Sequence, residues 1–399
     1  MLDFSASARS MRSSEIRRLM KLAADPSVIS FAGGMPGNAL LPVNIIDELY
    51  GELSLQERQA ALQYGPTSGY PPLLESLSVY LSSRGIPLSG QELLITSGGQ
   101  QAINLVSKVM IDPGDLVVTE NPSFIGALAA FMSYQAHLVG VPLDEEGISI
   151  PGLQAVIDER LAQIKILYLN PLFQNPSGIM YTEARKKALL EKLSGRAFCI
   201  IEDDPYGELY FDDRDKPRIT PLKAMASPDL PICYIGSFAK IFGPGFRLGW
   251  LLGPRELVKK CELAKQSMDA CSSTLSQVLA HAYLSKGKLP GFLTAIRPVY
   301  RRKAGIMLET LADSMPKGVT WTEPRGGFYI WVTLPGSMDA TDVFNEAIKK
   351  QAAFVIGSAF DPYGAKNNCF RLSFAHTPEE KIADGIRIIA EAVTKLSGR

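Results

Sequence analysis

Residues 198–206 read Phe198-Cys-Ile-Ile-Glu-Asp-Asp-Pro-Tyr206, a short run that is apolar on both faces and then three acids. A strand covered by helices on both faces of a parallel sheet has this pattern. Six similar runs lie between residues 90 and 252: Leu93–Thr96, Leu116–Thr119, His137–Leu143, Ile166–Leu169, Tyr234–Ser237 and Leu248–Leu252. Helical patterns such as Gln100–Met110 and Glu183–Leu193 separate several runs. Alternating strands and helices predict an α/β fold with a three-layer, mostly parallel, seven-stranded sheet.

The two ends of the chain have a different pattern. Arg297–Met315 and Thr377–Leu396 are amphipathic helical stretches, and Gly326–Val332 (GGFYIWV) and Phe370–Phe374 resemble strands. The first 45 residues resemble an arm that packs across this part. We therefore predict a smaller α+β domain built from both termini. The predicted division is 1–45 (arm and small-domain segment), 46–289 (large domain) and 290–399 (small C-terminal domain).

The composition excludes several classes of protein. A chain of 399 residues with 46% hydrophobic residues is long enough for two or three domains. The 41 basic and 41 acidic residues cancel, which argues against nucleic acid as a partner. No apolar run approaches the roughly 18 residues of a membrane span, and Met1–Ser14 lacks the apolar segment of a secretory signal.

Cysteine and histidine are sparse and scattered. The five cysteines lie at least ten residues apart, and the three histidines are far from one another. Zinc sites use ligands at short paired spacings, so we expect no metal site. Buried thiols in a reducing compartment are the simpler interpretation, and we expect a cytoplasmic protein.

The segment Ser237-Phe-Ala-Lys240-Ile-Phe-Gly-Pro-Gly-Phe-Arg247 follows a predicted strand. Lys240 has apolar and aromatic neighbours, and desolvation lowers the pKa of a lysine toward the range useful for imine chemistry. Ser237 and Arg247 supply a hydroxyl and a planar cation, which suit a phosphate monoester. On these residues alone, a solvated loop is the alternative.

Three other predicted strand ends carry polar groups. Thr96-Ser-Gly-Gly-Gln-Gln101 presents bare backbone N–H groups at a helix start, which is either an anion site or an ordinary capped turn. Asp203 and Tyr206 are three residues apart and can face one ligand. Asn175 lies in a Pro- and Gly-rich loop after Ile166–Leu169. Ligands of open α/β sheets bind where such strand ends meet.

Together these motifs resemble a known family. Ser-x-x-Lys-x6-Arg-x-Gly, Asn-Pro-x-Gly and Asp-x-x-Tyr lie within about 80 residues and resemble the class I/II aminotransferases, pyridoxal-phosphate enzymes of fold type I. The resemblance runs from Ser30–Pro36 to Phe370–Phe374. The phrases IRRLMKL, SFAGGMP, YGPTSGY and EDDPYGELYFD are most similar to the branch with 2-aminoadipate and kynurenine aminotransferases.

The resemblance implies roles around the cofactor ring. Lys240 would hold pyridoxal 5′-phosphate covalently and move a proton between the substrate Cα and the cofactor. Asp203 would pair with the protonated pyridine nitrogen, and Asn175 and Tyr206 would bond the ring's phenolic oxygen. Phe124, in Glu120-Asn-Pro-Ser-Phe124, would stack on the ring. The implied catalytic residues are therefore Lys240, Asp203 and Tyr206.

The resemblance also implies a phosphate cup. Its members would be Ser97, Gly98, Gly99, Ser237 and Arg247. Many relatives have a second serine just before the lysine, where this chain has Ala239. That departure removes one auxiliary hydroxyl and leaves the lysine chemistry untouched.

The same resemblance implies which residues contact the substrate and that two subunits share each active site. Arg371 would clamp the substrate α-carboxylate, with a structural ion pair as the alternative. Gly34 and Asn175 would lie beside that carboxylate. Tyr64 would reach the phosphate in the neighbouring subunit of a homodimer with shared active sites. Arg17 would meet side-chain carboxylates, with a solvated helix arginine as the alternative.

The implied function is a ping-pong aminotransferase. The donor would be an L-amino acid of the 2-aminoadipate, aromatic or branched-chain type, and the acceptor a 2-oxo acid, most plausibly 2-oxoglutarate. A pyridoxal-phosphate lyase or decarboxylase is an alternative, since it would use the same lysine, acid and arginine. A non-catalytic sensor domain is a second alternative. Sensors of this fold carry a winged-helix segment, for which the residues ahead of Phe31 are too few.

Overall fold

The structure is a computed structural model that describes residues 4–5, 8–9, 25, 27–336 and 338–397. Arg17 and the segment IRRLMKL lie outside the described residues. The strands are β1 (Ile29–Ser30), β2 (Gln91–Thr96), β3 (Leu116–Asn121), β4 (His137–Asp144), β5 (Gly147–Ile148), β6 (Ile164–Leu169), β7 (Cys199–Asp204), β8 (Ile232–Ser237), β9 (Gly249–Pro254), β10 (Thr320–Trp321), β11 (Tyr329–Thr333), β12 (Ala352–Ala353), β13 (Val355–Ile356) and β14 (Cys369–Ser373).

The α-helices occupy the connections between these strands. They are α1 (Val43–Gly51), α2 (Leu55–Leu62), α3 (Pro71–Ser83), α4 (Gly99–Met110), α5 (Ile125–Ser133), α6 (Ile150–Arg160), α7 (Glu183–Leu193), α8 (Leu222–Met225), α9 (Arg255–Gln266), α10 (Thr274–Ser285), α11 (Lys288–Ser314), α12 (Ala340–Lys349) and α13 (Glu379–Ser397). No helix among the described residues is long and apolar enough to cross a membrane.

The large sheet has the strand order β2-β9-β8-β7-β6-β3-β4-β5. Strands β4, β3, β6, β7 and β8 run parallel, and β9 is antiparallel to both of its neighbours. All seven predicted strands lie in this sheet, so the mostly parallel α/β fold is confirmed. The structure adds an eighth strand, β5, whose two residues pair with the end of β4. A strand of two residues is too short to leave a periodic pattern.

Helices cover both faces of the large sheet, which gives the predicted three layers. Adjacent residues of one strand face different cores: Ile200 packs with α6 and α7, and Ile201 with α4, α5 and α9. Both residues are fully buried. A strand buried on both faces must be apolar throughout, which explains the runs in the sequence.

A second, antiparallel sheet has the order β10-β11-β14-β13. Helices α11 and α13 pack against each other beside it. The N-terminal strand β1 pairs in parallel with β12, so residues 29–30 join the C-terminal part of the chain. The small α+β part is thereby confirmed. The boundaries at 45/46 and 289/290 stay a prediction, and α1 and α11 run across them.

Helix α11 is longer than the pattern in the sequence indicated. It begins at Lys288, nine residues before Arg297, and contains Pro298. Pro290 is the third residue of the helix, where its missing N–H is not needed. Pro290 conceals the helical pattern ahead of Arg297, and Pro298 lies within the stretch that was predicted as helical.

The close contact of Gly236 with Trp250 gives a test of the packing of the large sheet. These residues face each other across β8 and β9, and a Cβ on Gly236 would lie 2.0 Å from Trp250 Cζ2. We expect Gly236→Ala to lower the free energy of unfolding by ~1–3 kcal/mol, measured by urea denaturation. Gly305→Ala in α11 is the control, because a Cβ there meets nothing within 4 Å. It should raise stability by ~0.5–1 kcal/mol, and the reverse order would contradict the packing.

Candidate active site

The carboxyl ends of β3, β6, β7 and β8 meet at one edge of the large sheet, beside a cavity of about 420 Å³. The N-terminal segment and the small sheet close its other sides. Eleven predicted site residues line it: Gly34, Gly98, Gly99, Phe124, Asn175, Asp203, Tyr206, Ser237, Lys240, Arg247 and Arg371. The remaining lining residues are Ala32, Gly33, Met35, Gln100, Ile103, Asn170, Pro205, Ala239, Pro244 and Tyr329.

Lys240 follows the end of β8 and reaches into the cavity. Its Nζ donates a hydrogen bond to the carbonyl oxygen of Gly34 at 2.6 Å. Burial, helped by the positive charges of Arg371 and Arg247, lowers the pKa of Lys240 to about 8, and the nearby Asp203 opposes this shift. A lysine amine with this pKa is partly neutral near pH 8, and the neutral amine is the nucleophilic form.

Asp203 lies near the end of β7 and is only 6% exposed. Its Oδ2 accepts a hydrogen bond from the Tyr168 hydroxyl at 2.7 Å. Burial raises the pKa of Asp203 to about 7, and the Tyr168 hydroxyl only partly offsets this rise. Within the described residues no lysine or arginine forms an ion pair with it, so the carboxylate is available to a cationic group in the cavity.

An anion-binding corner forms between β2 and the turn after β8. Helix α4 begins at Gly99, so its first backbone N–H groups point into the cavity wall. Gly98 has φ +100°, and a Cβ there would lie 3.0 Å from Arg247 Nη2. Among the described residues, the Arg247 side chain bonds only the carbonyls of Pro244 and Ser97, each at 3.3 Å. Its charge therefore remains available to an anion.

Arg371 on β14 is a buried cation, 3% exposed. Its guanidinium donates to Asn175 Oδ1 at 2.8 Å and to the Ala32 carbonyl at 2.6 Å, and its Nε has no partner among the residues that the structure describes. The rings of Tyr329 and Phe360 lie 4.4 and 4.8 Å from its Cζ. Burial lowers its pKa from the usual value. In the described part of the chain no carboxylate pairs with it, so the predicted alternative of a structural ion pair has no partner there. A buried cation of this kind favours an anionic ligand.

Tyr329 and Asn170 are cavity residues that the sequence did not single out. The Tyr329 hydroxyl lies 2.9 Å from the Tyr206 hydroxyl. The Asn170 side chain accepts a hydrogen bond from the Asn175 backbone N–H at 2.7 Å and donates to the Asp203 carbonyl. Asn170 directly follows a predicted strand, which was a usable signal. Nothing in GGFYIWV shows which aromatic residue faces a site.

Glu120 supports the same loop from below the cavity. It is fully buried and accepts hydrogen bonds from the Tyr181 hydroxyl at 2.6 Å, from Gln174 Nε2 at 2.9 Å and from the Asn170 N–H at 3.1 Å. Burial raises the pKa of Glu120 to about 7 despite these donors. The loop that carries Asn175 is thus held by hydrogen bonds rather than by packing alone.

Two of the predicted residues that the structure describes, Ser97 and Tyr64, are not part of the cavity lining. The Ser97 hydroxyl donates to Asp269 Oδ2 at 3.0 Å and is turned away from it. Tyr64 is 86% exposed and lies in a separate surface depression with Asp269 and Leu275. Arg17 is outside the described residues. Among those that are described, no group of three or more histidine, cysteine, aspartate or glutamate residues is arranged to hold a metal ion.

The unpaired Asp203 gives a test of the electrostatics. In the ligand-free protein, the pKa of Asp203 is raised from 3.8 to about 7. The stability that this carboxyl contributes is therefore complete below pH 3.8 and is lost as the pH rises through 7. We expect Asp203→Asn to remove this loss, so that its melting temperature exceeds that of wild type more at pH 8 than at pH 5.

Asp204 is the matched control for this test. It lies next to Asp203 on β7 but forms an ion pair with Arg84 at 2.9 Å. Asp204→Asn leaves Arg84 buried with one partner fewer, so its melting temperature should fall below that of wild type at pH 8. A lower melting temperature for Asp203→Asn at pH 8 would show that the carboxylate is stabilised in the ligand-free protein.

Comparisons with known proteins agree with this geometry. Residues 35–389 match the family model "Aminotransferase class I and II". The chain is 41% identical to aromatic-amino-acid aminotransferase 1 of Thermococcus litoralis over 98% of this chain and 94% of that protein. It is also similar over nearly its full length to two solved structures.

The first structure is Pyrococcus horikoshii kynurenine aminotransferase in complex with PMP, at 40% identity and a TM-score of 0.94, covering 98% of this chain and 97% of that one. The second is LysN, the α-aminoadipate aminotransferase of Thermus thermophilus, complexed with N-(5′-phosphopyridoxyl)-L-leucine. It is 34% identical with a TM-score of 0.87, covering 99% of this chain and 98% of that one.

The cavity fits the cofactor that these structures contain. Pyridoxal phosphate has an aldehyde, a basic ring nitrogen and a phosphate. The cavity offers a half-buried lysine, a buried unpaired acid and an anion corner at a helix N-terminus. A Cβ on Gly98 would crowd Arg247 in that corner. The chain therefore belongs to the class I and II aminotransferases, and pyridoxal phosphate is its cofactor.

Proposed function

We propose that this aminotransferase moves the amino group of an L-amino acid to 2-oxoglutarate by a ping-pong reaction. One observation carries the proposal: Lys240, Asp203 and Arg371, which pairs with no carboxylate among the described residues, line a single cavity. When bound, pyridoxal phosphate supplies an aldehyde for the amino group and a ring that accepts electrons from the substrate Cα. Residues of the protein would bind the cofactor and the substrate and would transfer the proton.

Lys240 is the covalent anchor and the proton carrier. Burial and two neighbouring arginines lower the pKa of its amine to about 8. Its amine would take the proton from the substrate Cα and deliver it to the cofactor. The hydrogen bond to the Gly34 carbonyl holds Nζ on the side of the cavity where the substrate carboxylate would lie.

Asp203, Tyr206 and Asn175 hold the ring. A protonated ring nitrogen would give Asp203 the counter-charge that it lacks, and this pairing keeps the ring electron-poor. Tyr206 and Asn175 would bond the ring oxygen, and Phe124 would cover one face of the ring. Asn175 also accepts from Arg371 at 2.8 Å, so it lies between the cofactor and substrate positions.

The anion corner would hold the phosphate. Gly98 and Gly99 contribute backbone N–H groups, and Arg247 contributes the charge. The Ser237 oxygen accepts from the Ala239 N–H at 3.1 Å, which leaves its proton free for a phosphate oxygen. Ser97 would contribute through its position at the start of α4 rather than through its hydroxyl, which faces Asp269.

Arg371 would bind the substrate α-carboxylate, with Gly34 leaving room beside it. The cationic residues that line the cavity are Lys240, Arg247 and Arg371. Each has a use in cofactor or α-carboxylate binding. None remains in the described lining for an acidic side chain, which supports an aromatic or other apolar donor. The γ-carboxylate of 2-oxoglutarate would then need Arg17 or a residue of a second subunit.

We infer a cytoplasmic homodimer with shared active sites. Exposed apolar side chains on α2 and beside it support this inference, since large apolar patches mark interfaces. Leu55, Leu62 and Tyr64 are 74%, 86% and 86% exposed. Tyr64 would then reach the phosphate of the neighbouring subunit's cofactor. Five free cysteines, four of them buried, suit a reducing compartment.

The half-reaction with glutamate tests the chemistry. Cofactor-loaded protein mixed with glutamate alone should release one equivalent of 2-oxoglutarate per subunit and stop. Phenylpyruvate should restart the release, because a ping-pong enzyme needs an acceptor to complete the cycle. Lys240→Ala and the charge-preserving Lys240→Arg should lose the lysine-dependent visible absorption and the release. Continuous formation of carbon dioxide from glutamate would instead identify a decarboxylase, and continuous formation of pyruvate with ammonia from an amino acid that carries a β leaving group would identify a lyase.

The affinity for pyridoxal phosphate tests the shared site. Loss of a charge-assisted hydrogen bond in Tyr64→Phe should raise the Kd of the cofactor by about tenfold. Tyr50→Phe, at another exposed tyrosine (52%), should leave the Kd unchanged. Sedimentation should show a dimer in all three proteins. A monomer, or an unchanged Kd for Tyr64→Phe, would contradict the shared site.

A further inference from the structure

Tyr329 lies between the groups to which the proposed function assigns separate tasks. It is 1% exposed and begins β11, in the small sheet. Trp331, two residues along, is the cross-strand partner of Arg371 on β14, so Tyr329 and Arg371 share a face of that sheet. The ring of Tyr329 lies 4.4 Å from the guanidinium carbon of Arg371.

The hydroxyl of Tyr329 is held in one place. It lies 2.9 Å from the hydroxyl of Tyr206, and the two rings meet edge to face at 5.6 Å. A Cβ on Gly34 would lie 2.0 Å from the Tyr329 oxygen, so the missing side chain of Gly34 makes room for this hydroxyl. A phenylalanine at position 329 would leave the buried Tyr206 hydroxyl without this partner.

The bond between the two hydroxyls has a direction once the cofactor is bound. Each tyrosine has one proton to donate. If Tyr206 donates its proton to the ring oxygen, its own oxygen can only accept, so Tyr329 must be the donor. Donation onto a hydroxyl oxygen strengthens the bond that this hydroxyl makes in turn.

We propose that Tyr329 is a positioning residue that donates to Tyr206 and strengthens the hydrogen bond of Tyr206 to the cofactor ring oxygen. The inference rests on the proposed function, in which Tyr206 contacts that oxygen. It assigns a task to a residue of the small sheet that binds neither phosphate nor carboxylate. The charged groups around Tyr206 are Asp203, Lys240 and Arg371, and the Tyr329 variant leaves all three in place.

A spectroscopic titration tests this role without measuring turnover. The visible absorption of the lysine-bound cofactor changes as the nitrogen that joins it to Lys240 loses its proton. Loss of that proton leaves the full negative charge on the ring oxygen, so a donor to this oxygen favours the deprotonated form. A weaker donor therefore raises the midpoint of the titration.

We expect Tyr329→Phe to raise this midpoint by about 0.5 pH units and Tyr206→Phe by about 1. The double variant should match Tyr206→Phe, because Tyr329 acts through Tyr206. Tyr300→Phe is the matched control, since Tyr300 is equally buried and its hydroxyl has no hydrogen-bond partner in the described part of the chain. Its midpoint should equal that of wild type.

Steady-state kinetics distinguish the contribution of the Tyr329 hydroxyl from that of its ring. Tyr329→Phe keeps the ring beside Arg371, so the KM for glutamate should stay within about twofold while kcat falls. A wild-type midpoint in Tyr329→Phe, or shifts that add in the double variant, would overturn the inference and leave the proposed function intact. A wild-type protein without lysine-dependent absorption would overturn both.

Discussion

Burying a charge without an opposite charge beside it costs free energy. The cavity of this protein contains a buried acid and a buried cation, and the described residues form an ion pair with neither. Arg371 contacts the Asn175 amide, the Ala32 carbonyl and two aromatic rings. Asp203 accepts a hydrogen bond from the Tyr168 hydroxyl. The two could neutralise each other if they met. They stand on different sheets, Asp203 on β7 and Arg371 on β14, and no ion pair joins them in the structure described. In the proposed function, the protonated ring nitrogen of the cofactor and the carboxylate of the substrate would relieve both costs.

The contrast with Asp204 shows why Asp203, and not its neighbour, faces the cavity without an ion pair among the described residues. Asp203 and Asp204 are neighbours on β7, and successive side chains of a strand point to opposite faces. Asp204 meets Arg84 at 2.9 Å and the Tyr234 hydroxyl at 2.8 Å, so it is paired within the protein. Asp203 faces the cavity. The same residue type is therefore paired within the protein at one position and faces the cavity at the next, and the pleat of the strand decides which.

Most of the fold and much of the site could be predicted because burial on both faces of a strand leaves a direct pattern in sequence. The seven apolar runs correspond to β2, β3, β4, β6, β7, β8 and β9, and polar groups after them mark the cavity edge. Side-chain direction could not be predicted in the same way. Ser97 follows β2 as expected, but its hydroxyl donates a hydrogen bond to Asp269, which lies 172 residues further along the sequence. The role of Tyr329 depends on the register of β11 with β14, which no local pattern encodes.

The two sheets must keep a fixed distance for the site to work, since one carries the lysine and the other the arginine. The contacts that hold them together lie beside the reacting groups. The Ser123 N–H donates to the Phe360 carbonyl at 2.8 Å, and the ring of Phe360 lies against Arg371. Arg297 on α11 donates to the Glu208 carbonyl at 2.7 Å, two residues after Tyr206. A shift of the small sheet would therefore move Arg371, Phe124 and Tyr206 together. In the proposed function these residues bind the substrate and the cofactor, so the same few contacts would couple the two, and changes in the small sheet would alter chemistry at the large one.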